Sequence, residues 1–198
     1  MGTDCNVGKL TAALELVDEL ERRGVRAAFA ATGQTGILID GKGIAVDAVV
    51  ADFVAGAAER LVLESAPGAD VIVVEGQGSL IHPGYSGVTL SLMHGVMPQA
   101  LVLCTKPART HIYGGEYDWV EIPPLDEVVR LYEDAMDWVS LEEPVLVAAI
   151  ACSTHGQSEE EARQEIQRAD KLTGLPATDP IRFGASKLAD AITALGDV

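Results

Sequence analysis

The chain has 198 residues, 48% of them hydrophobic, which is enough for one globular domain with a core of its own. It carries 30 acidic against 14 basic side chains, a net charge of −16, and its pI is near 4.4. That balance argues against binding to nucleic acids or anionic membranes, which need a basic patch, so an anionic ligand must be held by local donors.

Residues 9–23 repeat apolar side chains at three- and four-residue steps, through Leu10, Ala13, Leu14, Val17 and Leu20, and predict a helix that Gly24 ends. A compact apolar strand follows over 25–31, then the loop Thr32-Gly33-Gln34-Thr35-Gly36. A second helix is expected over 47–64, closed by Pro67-Gly68. Val71-Ile72-Val73-Val74 reads as a fully buried parallel strand, broken by Gly76-Gln77-Gly78. A short helix over 88–94, a strand over 101–103, a helix over 125–139 and a strand over 145–151 come next. A charged helix over 158–172 and a last helix over 184–195 complete the chain. Its acidic run Glu159-Glu160-Glu161 reads as a solvated helix start that complements the dipole.

Strands that alternate with helices predict an α/β fold, a doubly wound and mostly parallel sheet of the P-loop type, in a single domain over 1–198. In such sheets ligands sit at the carboxyl ends of the strands, where the glycine-rich loops gather. The phosphate loop itself is expected to follow a strand, yet only Met1 precedes Gly2. The first strand is therefore expected to be missing, which leaves two unpaired sheet edges.

Gly2-Thr3-Asp4-Cys5-Asn6-Val7-Gly8-Lys9 has the make-up of a phosphate loop. Its glycines let successive N–H groups converge, the following helix adds its dipole, and Lys9 supplies a point charge. The spacing is one residue longer than the standard pattern, and Leu10 stands where a Ser or Thr ordinarily ligates magnesium. Thr11 comes one position late, about 100° around the helix. A phosphate-containing ligand is expected, with less support for MgATP hydrolysis.

Glu75 ends a strand beside that loop and is a candidate metal ligand or proton acceptor. His82, on the loop Ile81-His82-Pro83-Gly84-Tyr85, is a candidate general base, with simple solvent exposure as the alternative. Gln77 and Arg109 are candidate substrate contacts, Arg109 as a bidentate clamp on a carboxylate. Asp47, at the start of the second predicted helix, is either a cap or a ligand contact. Tyr113, Tyr117 and Trp119, with Gly114-Gly115, form an irregular loop that reads as a lid or a partner surface. Cys5, Cys104 and Cys152 have no CxxC spacing and predict neither a disulfide framework nor a zinc site. No apolar run is long enough to span a bilayer, and a cytoplasmic location is expected.

The phosphate loop resembles that of dethiobiotin synthetase, and Val73-Val74-Glu75-Gly76-Gln77-Gly78 resembles that group's metal-binding motif. Gly174-Leu175-Pro176-Ala177-Thr178-Asp179-Pro180 weakly resembles its nucleotide-side loop. Dethiobiotin synthesis itself is excluded, because Ala30-Ala31-Thr32-Gly33 lacks the lysine that this enzyme places after its second strand. A closer likeness runs through Thr32–Gly36, 47–53, 75–83, 85–90 and 178–182. These stretches are similar to a P-loop family whose members are associated with D-glutamate N-acetyltransferase activity and usually carry a Rossmann-like domain ahead of the loop.

The resemblance implies an N-acetyltransferase moving acetyl from acetyl-CoA to the amine of an acidic amino acid, with Glu75 or His82 deprotonating it. Two alternatives are an ATP- and magnesium-dependent ligase, with Glu75 on the metal, and a nonenzymatic nucleotide-binding module. A homo-oligomer is compatible with any of these.

Overall fold

A computed structural model describes residues 1–140 and 143–196. It contains five parallel strands in two groups. Strand β1 (Ala27–Ala30) pairs with β2 (Val71–Val74). Strand β3 (Ala100–Thr105) pairs with β4 (Leu146–Cys152), and β4 with the short β5 (Ala177–Thr178). Between the groups, among the described residues, lie Met1 to Thr3. Cys104 donates its N–H to the Met1 carbonyl (2.8 Å), Thr3 donates to the Cys104 carbonyl (2.9 Å), and Gly2 makes a parallel bridge to Cys104. The expected gap is present, and β2 and β3 flank it.

Seven helices cover these strands: α1 (Lys9–Arg22), α2 (Gln34–Asp40), α3 (Val54–Ser65), α4 (Ser86–Val96), α5 (Leu125–Asp137), α6 (Glu159–Thr173) and α7 (Ser186–Thr193). Alternation along β3 decides the layers. Leu101 and Leu103 pack with Val128, Tyr132 and Met136 of α5 and Ile166 of α6. Val102 and Cys104 turn the other way, toward Leu16 and Leu20 of α1 and Leu188 of α7. The register slips by one residue beside Leu101/Val102, where β4 steps from Val147 to Ala149. That bulge keeps Val147 and Ile150 on the α5–α6 face although their spacing is odd.

The predicted order holds, with local changes. The glycine loop after β1 continues into α2, seeded by Gln34 and ended by Gly41 at φ 82°. Helix α3 begins at Val54 rather than at Asp47. The β-branched pair Val49-Val50 is extended, at ψ 138° and 135°, and divides that stretch into two 3₁₀ turns, Val46–Ala48 and Ala51–Phe53. Helix α6 starts with a capping box in which Ser158 and Glu161 satisfy each other's backbone N–H groups. No helix among the described residues is long and apolar enough to cross a membrane.

Tyr132 ties α5 to the start of the phosphate loop. Its fully buried hydroxyl donates to the Gly2 carbonyl (2.7 Å) and accepts the Leu80 N–H (3.2 Å). Tyr132→Phe leaves both groups without that partner and should cost about 1–3 kcal/mol. Urea unfolding of the variant and the parent checks this.

Candidate functional site

The segment Gly2–Lys9 wraps from the stub beside β3 into the head of α1. Asn6 (φ 53°) and Gly8 (φ 89°) take left-handed angles there. A Cβ at Gly2 would come within 2.9 Å of the Val7 side chain, so the turn closes only around glycine. Gly8 caps α1 without a side-chain hydrogen bond, and the first turn holds no acidic residue. The N–H groups at the helix head are therefore free to meet an anion. Lys9 folds back, and its Nζ donates to the Asp4 carbonyl (2.7 Å). Burial lowers the pKa of this lysine, with the neighbouring thiols and Asp4 opposing the shift and Arg109 adding to it.

Asp4 organises the loop. Its carboxylate is fully buried, with Oδ1 accepting the Cys5 N–H (2.6 Å) and Oδ2 accepting Arg109 Nη1 (2.7 Å) and the Tyr113 N–H (2.8 Å). Arg109 also donates to the Cys5 carbonyl (2.6 Å) and lies over the Tyr113 ring at 5.1 Å. The arginine read as a substrate clamp is thus committed to the loop itself, and its side chain is only 14% exposed. Thr3 is likewise spent on the sheet and on a hydroxyl contact to Thr105 (3.3 Å). The exposed Thr11 lines a neighbouring cavity of about 270 Å³ with Gly8, Ser153, His155, Asp179 and Arg182. Asp179 shapes that cavity by accepting the Thr154 N–H (2.9 Å) and hydroxyl (2.5 Å), a pairing between distant segments that no local motif announces.

Glu75 stands at the end of β2, 5% exposed. Its Oε2 accepts the N–H groups of Thr32 and Gly33, both at 3.0 Å, so it holds the β1–α2 loop. Gln77 reaches the same loop through Nε2 to the Thr32 hydroxyl (3.1 Å). Both side chains therefore have structural partners already, and Glu75 keeps Oε1 clear of those bonds. Asp47 is exposed in its 3₁₀ turn and makes no hydrogen bond or ion pair among the described residues.

His82 is 2% exposed, so the solvent-exposed reading of it fails. Its ring lies between Tyr85 (4.5 Å) and Tyr117 (4.8 Å), and Nδ1 accepts the Gly84 N–H (3.1 Å). A neutral ring held this way carries its proton on Nε2. That tautomer makes His82 a donor to an anion or carbonyl oxygen. In the aromatic loop Tyr117 covers His82, Tyr113 covers Arg109, and Trp119 is exposed.

Ligand atoms of Asp4, Cys5 and His82 lie within 4.8 Å of one another, a grouping of the kind that holds metals. The donor set fits an anion better than a cation. Asp4 is already neutralised by Arg109, Lys9 is adjacent, and burial raises the Cys5 thiol pKa, disfavouring the thiolate a metal requires. Burial also raises the thiols of Cys104 and Cys152, the latter to about 12.

Residues 1–189 match the family described as a domain of unknown function, the DUF1611_C P-loop domain. The chain belongs to the DUF1611 P-loop family. It is 43% identical over 197 residues to a D-glutamate N-acetyltransferase of Tritonibacter scottomollicae, covering 98% of this chain and 57% of the relative. A protein of the same name from a Pseudoalteromonas species is 38% identical over 191 residues, covering 95% and 55%. The chain thus spans little more than half the length of the curated relatives it matches. A crystal structure of a DUF1611 family protein from Anabaena variabilis superposes at a TM-score of 0.93, with 43% identity over 98% of this chain and 56% of that one. A nucleotide-binding protein from Archaeoglobus fulgidus in complex with ADP superposes at 0.60, with 14% identity over 100% and 86%. The DUF1611 domain therefore has the P-loop NTPase fold that its sequence pattern predicts.

Arg109→Ala should strand the buried Asp4 carboxylate and destabilise the domain by about 3–5 kcal/mol. Adding Asp4→Asn should return part of that loss. Equilibrium unfolding of the two single variants and the double variant measures the coupling.

Proposed function

We propose that this DUF1611 domain is the phosphate-anchoring part of an N-acetyltransferase that transfers acetyl from acetyl-CoA to the amine of D-glutamate or a similar acidic amino acid. The observation that carries the reading is the loop itself. Its one internal carboxylate is turned inward and neutralised by Arg109, which leaves Lys9 and the open head of α1 to meet an anion. The names of the two relatives, at 43% and 38% identity, support acetyl transfer as the reaction. Leu10 in place of a hydroxyl residue agrees with a ligand held without magnesium. The cavity beside Gly8 and Thr11 has the size and position for a nucleoside joined to those phosphates.

In this reading Lys9 and the helix-head N–H groups bind phosphate, and the Nε2–H of His82 donates to the same anion. Glu75 accepts the proton of the acceptor ammonium through Oε1. Glu75→Gln separates the roles, because the amide keeps an oxygen for the Thr32 and Gly33 N–H groups but loses the base. We expect kcat to fall about 10²–10⁴-fold while acetyl-CoA binding and thermal stability stay near parental values. Equal losses in binding and stability would reduce Glu75 to a loop brace.

Thermal shift with acetyl-CoA, CoA and ATP, each with and without magnesium, tests the ligand. Acetyl-CoA at a hundredfold excess over Kd should add about 2.7 kcal/mol without magnesium, and Lys9→Ala should abolish the effect. Stabilisation by magnesium-ATP alone would instead favour a ligase or a nucleotide-binding regulatory module. Formation of N-acetyl-D-glutamate is the turnover assay, and binding without turnover selects the module.

A further inference from the structure

Charge is distributed unevenly around the cavity of about 270 Å³ beside the phosphate loop. Cavity and loop are contiguous, since a Cβ on Gly8 would lie 3.6 Å from the Ser153 Cβ. The chain as a whole carries −16, and most of its arginines are paired with a carboxylate. Arg182, on the cavity wall, is not. Its Nη2 donates to the carbonyls of Gln157 (2.9 Å) and Thr154 (3.4 Å), while Nε and Nη1 make no hydrogen bond among the described residues. Neutral acceptors thus hold the guanidinium in place without cancelling its charge. His155 lines the same cavity, is exposed, and its ring makes no hydrogen bond or ion pair among the described residues.

Asp179 is the one carboxylate that lines the cavity among the described residues, and it is 5% exposed. Its oxygens are saturated. Oδ2 accepts the Thr154 N–H and hydroxyl, and Oδ1 accepts the N–H groups of Ile181 (3.1 Å) and Arg182 (3.0 Å). A ligand therefore meets uncommitted positive charge here, inside a chain whose long-range field is negative. Phosphates on the loop do not account for it, because Lys9 and the head of α1 already serve them. Arg182 and His155 come instead from the segments that follow β5 and β4. Ile181, 64% exposed, adds apolar surface to the same cavity, which suits a base beside an anion.

We propose that Arg182 and His155 form a second anion subsite, which takes a phosphate carried on the ribose of the bound nucleotide, namely the 3′-phosphate of coenzyme A. The inference rests on the coenzyme A reading given above and names the feature of that ligand which the domain selects. ADP and ATP share the adenosine and the phosphates on the loop but lack this group, so the subsite discriminates against them. A guanidinium with two uncommitted nitrogens supplies charge-assisted hydrogen bonds to phosphate oxygens, and an imidazole on the same cavity adds a further donor. A ribose 2′-phosphate offers similar chemistry, and isomeric probes separate the two.

Titration calorimetry without magnesium compares CoA with 3′-dephospho-CoA, and adenosine 3′,5′-bisphosphate with its 2′,5′ isomer and with ADP. CoA should bind the parent domain at least about tenfold more tightly than 3′-dephospho-CoA, the scale of one charge-assisted hydrogen bond. Arg182→Gln should bring the two ligands within about twofold of each other while the Kd of 3′-dephospho-CoA stays parental. His155→Ala changes an exposed side chain without partners, so it should lower the same ratio several-fold at unchanged Tm. It carries the test if Arg182→Gln fails to fold. Equal binding of CoA and 3′-dephospho-CoA by the parent overturns the subsite and leaves the coenzyme A reading standing. A ratio that survives the folded variants also overturns the subsite, because the phosphate is then read elsewhere. Preference for the 2′,5′ isomer overturns the assignment to a 3′-phosphate. Failure of both CoA forms to bind overturns the coenzyme A reading and this inference with it.

Discussion

A fully buried carboxylate in the middle of an anion-binding loop is an electrostatic contradiction, and the pairing of Asp4 with Arg109 resolves it. An unpaired carboxylate would oppose a phosphate a few ångströms away and would suffer the full cost of leaving water. Arg109 Nη1 at 2.7 Å and two backbone N–H groups satisfy it instead. The guanidinium also donates to the Cys5 and Asn6 carbonyls, so the same arginine pins the outer turn of the loop. Because Arg109 and Tyr113 belong to the segment after β3, the pair couples that segment to the head of α1. Tyr117, farther along the segment, then covers His82. One buried ion pair thus fixes the loop, the aromatic cover and the histidine in a common frame.

That frame rests on the sheet through few bonds. The loop leaves the stub that is bonded to Cys104 of β3, and the Tyr132 hydroxyl at Gly2 ties it to α5. The opposite wall of the site belongs to β1 and β2, where Glu75 binds the Thr32–Gly33 turn. These two walls lie on either side of the gap between β2 and β3. Their separation therefore depends on what holds the two half-sheets at a fixed distance, and α1, whose Leu16 and Leu20 pack with residues of both, is a described element that does so.

Local features of this architecture were readable in the sequence because they depend on near neighbours. The helical period after Lys9, the glycines at 2 and 8, the apolar run 71–74 (a strand as expected, though half-buried rather than fully buried) and the acidic helix start at Glu159 each act within a few positions. The placement of Glu75 at a strand end beside the loop followed from the α/β order alone. Its partners did not, since Thr32 and Gly33 lie 43 and 42 residues away. Arg109 was read as free for substrate because nothing near it in sequence competes for a guanidinium, whereas Asp4, 105 residues earlier, does. His82 shows the same limit in another form. Its residue type gives the chemistry, but the Gly84 N–H at Nδ1 decides which ring nitrogen is left for another partner. Asp47 does not start the helix expected of it for a local reason, the extended Val49-Val50 pair that delays that helix to Val54.

The charge of the whole chain gives these local arrangements their weight. With 30 carboxylates against 14 basic side chains, the long-range field repels a polyphosphate, and no surface lysine array gathers one. Attraction must then be short-ranged, from Lys9 and from backbone dipoles that face inward at the head of α1. A half-buried lysine is suited to this task because its burial penalty, seen in the lowered pKa, is relieved when an anion arrives. Lys9 is held on the Asp4 carbonyl, a neutral acceptor, rather than on a carboxylate. Releasing it costs one ordinary hydrogen bond. Had Asp4 presented its side chain to Lys9, an incoming phosphate would have had to break a buried ion pair first, so turning that carboxylate toward Arg109 is what keeps the lysine available.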